Sequence, residues 1–169
     1  KTIVLLHNLH DAEFYRLFQA YCRKELSSEN LHVFSVLEEA KKKGSTLSFE
    51  EYEKLIQEHI RSGSNFEVNI TPVTRSACIA LYDSSCKEKT AIDLAALESL
   101  RYEIIANLSD TFARFIETSQ YALYKDKITR LKEMFAVEDK RSESILEKPE
   151  KPRSKTVDGN NTNTSSVRE

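Results

Sequence analysis

From Phe14 to Phe135 the apolar residues recur at intervals of three and four, and very little interrupts them. That spacing is the period of one helix face, whereas a half-buried strand alternates every second residue. The chain holds only 3 Gly and 3 Pro among its 169 residues, few for the tight turns that join the strands of a sheet. The expectation is an all-α fold, a compact bundle of about eight to nine helices within the usual length of one domain.

The punctuation places the helices. Phe14, Leu17, Phe18, Tyr21 and Cys22 form the first stripe. Ser27 stands as N-cap of a second helix carrying Leu31, Val33, Phe34, Leu37 and Ala40. That helix closes in Lys41, Lys42, Lys43 and Gly44, cations followed by glycine. Ser48 to Glu51 has the capping-box form, continued by Tyr52, Leu55, Ile56, His59 and Ile60 as far as Gly63. Thr71-Pro72 reads as N-cap plus N1 proline and opens a helix with Val73, Ala77, Ala80 and Leu81 inward. After a polar loop from Asp83 to Thr90, Leu97, Leu100, Ile104 and Leu108 mark a longer helix expected to stop at Ser109-Asp110. Phe112, Phe115 and Ile116 then begin another, and Ile128, Leu131 and Phe135 lie on the last. Beyond about Asp139 the pattern ends. Pro149, Pro152 and the polar run 158–166 bury too little apolar surface to offset ordering entropy. Residues 1–138 are therefore expected as the helical domain and 139–169 as a disordered polar tail.

Several function classes are excluded by what the chain lacks. A net charge of −2 gives no electrostatic footprint for nucleic acid and no polybasic membrane signal. No apolar run approaches the roughly 18 residues that span a bilayer, and Lys1 to Leu6 is too short for a signal peptide. The start without Met is expected of a piece of a longer protein. Cys22, Cys78 and Cys86 are odd in number and lack C-x-x-C spacing, so a reducing, cytoplasmic setting is expected rather than a zinc or disulfide framework. Three glycines leave no phosphate loop, dinucleotide fingerprint or nucleophile elbow. His7 and His10 lie three apart while His32 and His59 are isolated, too few ligands in sequence for a metal site. Glu38-Glu39 and Glu50-Glu51 fall on solvated faces. No cofactor is expected, and no enzyme acting on its own substrate.

Three polar stretches at the expected breaks remain: Glu25 to Asn30, Glu67 to Thr71, and Ser109 to Phe115. Polar residues at helix ends either cap them or present a binding surface on a rigid scaffold. Ser27 and Asp110 are good N-caps, Glu29 suits a helix N-terminus, Arg114 stands i+4 from Asp110, and Asn69 is placed for a local Asx-turn.

In this order and spacing the stretches resemble the regulator of G-protein signalling (RGS) family over roughly residues 9 to 130. Phe14 to Lys43 resembles its first block, an aromatic helix followed by E-x-S-x-E-N, here Glu25, Ser27, Glu29 and Asn30. Glu67 to Ile70 with Thr74-Arg75 matches E-V-N-[IL]-x-x-x-T-R, and Asp110 to Phe115 matches D-[ST]-[FY]-x-R-F. The resemblance implies a four-helix bundle with a subdomain of terminal helices. It implies a GTPase activator for heterotrimeric Gα subunits, binding the switch regions in their transition-state form, with a non-activating interaction or scaffold module as the alternative. Implied contacts are Glu25, Ser27, Glu29 and Asn30 in the first loop and Asn69 in the second. The third cluster comprises Asp110, Thr111 and Arg114, with Asn107 or Leu108 at the position of a contact leucine. Proximity to the inner face of the plasma membrane would come through the partner or through segments outside this stretch. Leu26 replaces a usual aromatic and Val33-Phe34 a usual Phe-Trp pair, departures that bear on affinity and on the choice among Gα subtypes.

Overall fold

The computed structural model describes the backbone of residues 1–146 and side chains through residue 138. Among the described residues there are seven α-helices: α1 (Thr2–Asn8), α2 (Ala12–Lys24), α3 (Ser28–Lys42), α4 (Phe49–Leu55), α5 (Pro72–Ser85), α6 (Glu98–Phe115) and α7 (Ser119–Leu146). A π-helical turn (Ile56–Ile60) continues α4, and a 3-10 turn (Leu94–Leu97) leads into α6. The fold is all-α as expected, with fewer helices than the periodicity implied. Two-residue strands β1 (Thr46–Leu47) and β2 (Ile92–Asp93) pair antiparallel, Thr46 opposite Asp93 and Leu47 opposite Ile92. This clasp ties together two breaks between helices, and the sequence marks neither strand.

Packing divides the chain into Lys1–Ile128 and a second unit beginning at Thr129. In the first unit α3 and α5 pack against α6, while α4 and its π turn pack against α5. At the other side α1 and α2 pack on α6, and α2 also on α3. An aromatic cluster seals that side: Phe14 stacks on Phe18 at 5.7 Å and meets Phe112 and Phe115 edge-on at 5.9 Å. Tyr121 and Tyr124 join it. In the second unit Leu131, Met134, Phe135 and Val137 are exposed. Helix α7 runs to Leu146, past the point where apolar periodicity ends. Its Glu, Lys and Arg residues favour helix without needing a buried face. The remaining expected tail, 147–169, lies outside the described residues.

Three local expectations are corrected. Ser109-Asp110 does not end a helix, because α6 continues from Glu98 to Phe115. Ser109 Oγ donates to the Ile105 carbonyl at 2.8 Å and Thr111 Oγ1 to that of Asn107 at 3.2 Å. Both hydroxyls bond back one turn instead of capping, and the stripe Leu100, Ile104, Leu108, Phe112, Phe115 passes through unbroken. Asp110 is therefore no N-cap.

Ser27 occupies the N-cap position of α3 without capping it. It closes α2 instead. Ser27 N donates to the Cys22 carbonyl at 2.9 Å and Leu26 N to that of Arg23 at 3.4 Å, the paired bonds of a Schellman motif. Leu26 holds the left-handed position, φ 54°, that glycine usually fills, and stands in solvent. Gly44 fills the same position after α3, where Ser45 N donates to the Ala40 carbonyl at 2.9 Å.

In α5 the buried residues are Thr74, Cys78, Tyr82 and Ser85, and of the residues expected inward Leu81 packs against the core. Val73, Ala77 and Ala80 face out. Thr71 does cap as expected, accepting from Thr74 N at 3.3 Å, and Ser48 with Glu51 forms the expected reciprocal capping box.

Candidate interaction surface

The middle polar stretch is shaped by apolar alternation. Val68 and Ile70 are buried, so Asn69 between them is turned outward. The strand-like segment is fastened on both sides. Val68 N donates to the His59 carbonyl at 2.9 Å and Gly63 N to Glu67 Oε2 at 2.7 Å. Arg75 reaches back from α5 to donate to the carbonyls of Ile60 and Val68, and it pairs with Glu67 at 2.9 Å. A guanidinium satisfies several acceptors at once in a fixed fork, which suits it to clamp a loop. The Asn69 side chain makes no hydrogen bond among the described residues, so no Asx-turn forms.

Asn107 on α6 joins all three stretches. Its Nδ2 donates to Asn30 Oδ1 at 3.1 Å and to the Asn69 carbonyl at 2.7 Å. Asn30, in the first turn of α3, is buried, and its own amide donates to Glu29 Oε1 at 2.9 Å. Burial pushes the Glu29 carboxyl above its ordinary range. Arg114 supplies a second link from α6, donating through Nε to Glu25 Oε2 at 2.8 Å and through Nη1 to the Asp110 carbonyl at 3.2 Å. Its i, i+4 partner is thus the Asp110 main chain. The Asp110 carboxylate stays exposed and makes no hydrogen bond among the described residues.

The expected residues therefore divide into two groups. Glu25, Asn69, Asp110 and Arg114 are exposed, and Ser27, Glu29 and Asn107 are half-buried beside them. Asn30 and Thr111 are buried and act by holding Asn107, one at its side chain and one at its carbonyl. Leu108 is fully buried in the core, so of the pair Asn107 and Leu108 only Asn107 reaches the surface. Leu108 therefore lies beneath the surface rather than on it.

Two further residues support the surface in roles that the sequence does not mark. Glu103 on α6 accepts from Thr71 N at 2.6 Å, Thr71 Oγ1 at 2.7 Å and Thr74 Oγ1 at 2.6 Å, tying the N-terminus of α5 to α6. Partial burial pushes its carboxyl up, but the Thr74 and Thr71 bonds outweigh that and hold it below the ordinary range. His59 donates from Nδ1 to the Phe66 carbonyl at 2.9 Å, bracing the loop that leads to Asn69. Glu103 lies outside the polar stretches, and His59 sits in an apolar run, so neither carried a local signal.

A family model described as "Regulator of G protein signaling domain" matches residues 6–124. No curated protein matches the chain. Among the described residues no helix is long and apolar enough to cross a membrane.

Proposed function

Because the chain belongs to the regulator of G-protein signalling domain family, whose members regulate G-protein signalling and generally bind Gα subunits, we propose that it is a GTPase activator for a heterotrimeric Gα. The observation that carries this reading is the convergence on Asn107. One amide group ties Asn30 and the Asn69 main chain together, leaving the Asn69 side chain outward and unengaged. An outward amide on a fastened loop is prepared to bond a partner with little ordering cost.

The surface is all that such an activator needs. A Gα subunit carries its own catalytic arginine in cis, so its activator donates no catalytic group. It accelerates hydrolysis by binding the transition-state arrangement of the switch loops more tightly than the ground state. Each tenfold of rate corresponds to about 1.4 kcal/mol of that preference. In this scheme Asn69 contacts the switch residues beside the nucleotide and Asp110 accepts from a switch donor. Glu25, Ser27, Glu29, Asn107 and Arg114 complete the contact, while Asn30 and Thr111 hold it in place.

One observation favours the alternative, a non-activating interaction module. Glu25 and Arg114 are already paired with each other at 2.8 Å and lose nothing if no Gα binds. Single-turnover GTP hydrolysis by an activated Gα separates the two. The activator reading expects acceleration by this domain, and expects Asn69→Ala to remove most of it without changing helicity. A folded domain that accelerates no Gα subtype moves the assignment to the interaction module.

A further inference from the structure

His32 and His59, isolated in the sequence, come together in the fold. His32 lies on the exposed side of α3, one turn beyond the start of the first polar stretch's helix. His59 lies in the π-helical turn after α4, and its ring centroid is 5.0 Å from that of His32. The turn's wider spacing is made by Arg61 N donating to the Ile56 carbonyl at 3.0 Å, and π turns of this kind recur at functional sites. Glu58 stands beside His59, its Oε2 3.9 Å from His59 Nε2.

The tautomer of His59 follows from its partners. Nδ1 faces the Phe66 carbonyl at 2.9 Å, and a carbonyl only accepts, so Nδ1 carries the proton. Nε2 is then left with a lone pair. It is buried and has no hydrogen-bond partner, on a side chain only 4% exposed. An unmet buried acceptor is costly and calls for a partner. The same pattern, one ring nitrogen donating to a carbonyl and the other bearing a free lone pair, is how a protein orients a histidine for a metal.

We propose that His32, Glu58 and His59 form a site for a divalent transition-metal ion of the zinc type. One ligand atom from each lies within 4.8 Å of the other two. Ligand atoms around four-coordinate zinc stand about 3.3 Å apart, given bonds of about 2.0 Å. His32 is exposed and Glu58 half exposed, so both rotate to close the remaining distance onto the fixed His59. Two imidazoles and one carboxylate favour zinc, cobalt or nickel over calcium and magnesium, which take oxygen donors. A cleft of about 340 Å³ opens on the site, bordered by Tyr15, Ser35 and Phe66, with room for a water as fourth ligand. An ion bound there would join α3 to the π-helical turn, whose His59 holds the Phe66 carbonyl of the loop that leads to Asn69. The proposal does not depend on the Gα reading.

Titration of the full chain with Co2+ tests it, in a Cys86→Ser background that removes the exposed thiol. The expected result is saturable binding of one equivalent with the visible absorption of four-coordinate cobalt. Zn2+ should displace it, and excess Mg2+ should not. His32→Ala, at an exposed position, should weaken binding by at least about tenfold, and Glu58→Gln should weaken it too. In the diamagnetic Zn2+ complex, ring nitrogen resonances should place the metal on Nε2 of His59. Equal affinity in His32→Ala, or a signal that disappears with Cys86→Ser alone, overturns the site. So does the absence of saturable binding.

Discussion

The side-chain amide of Asn107 donates to the main-chain carbonyl of Asn69 at 2.7 Å, joining the middle of α6 to an irregular loop. The same nitrogen holds Asn30, so one group sets the separation of the first and second polar stretches. Replacing Asn107 with Leu should cost about 1 to 3 kcal/mol, because the buried Asn30 oxygen loses its donor. Under the proposed activator function it should also reduce acceleration of Gα hydrolysis, by displacing Asn69. Urea unfolding and single-turnover hydrolysis measured on the same variant check both effects. Asn69→Ala, by contrast, should leave stability within about 0.5 kcal/mol.

Arg75 is the stronger structural clamp. Its guanidinium serves the Ile60 and Val68 carbonyls and the Glu67 carboxylate, with its side chain mostly buried. Arg75→Met keeps the bulk and strands these acceptors. A loss of about 2 to 4 kcal/mol in denaturant unfolding is expected, together with faster amide exchange at Val68, whose bond to His59 belongs to the same fastening.

Leu26 is a residue the fold pays for locally. It occupies a left-handed C′ position that costs a non-glycine residue about 1 to 2 kcal/mol, and its side chain is 86% exposed. Leu26→Gly should therefore raise the thermal midpoint, after the larger entropy of glycine in the unfolded chain takes back part of the gain. A lowered midpoint would show that Leu26 makes a stabilising contact that its exposure conceals.

Acid stability should depend on Glu51 and Glu103. Hydrogen bonds from Ser48 hold Glu51 below the ordinary carboxylate range. Those from Thr74 and Thr71 hold Glu103 below it against partial burial. The folded state then binds fewer protons than the unfolded chain. The stability these groups contribute is complete above the unfolded value of about 4.3 and is lost as pH falls through their depressed folded values. Glu29, raised by burial, acts in the opposite sense. Glu103→Gln should lower stability at neutral pH and flatten its fall on acidification, read from urea midpoints across the acid range.

Helix existence was legible because it rests on local repetition. The capping box at Ser48 and the Thr71-Pro72 start needed only neighbouring residues to be right. What failed needed tertiary information. Ser109 and Asp110 are turn-forming residues, yet the packing of Leu108, Phe112 and Phe115 on one face carries α6 through them. At the start of α5 local polarity points the wrong way, because Val73 is apolar yet exposed and Thr74 polar yet buried. Glu103 reverses their roles by giving Thr74 a partner inside. Three stretches resembling one family's blocks marked the candidate surface, but nothing local marked Asn107 as its node or separated it from the buried Leu108.

Binding to a Gα subunit, compared between its GDP form and its GDP–aluminium fluoride form, tests the central claim most directly. Saturable binding to the aluminium fluoride form is expected, with little or none to the GDP form and loss of that difference in Asn69→Ala with the fold intact. Equal binding to both forms, or a preference that survives Asn69→Ala unchanged, would contradict it.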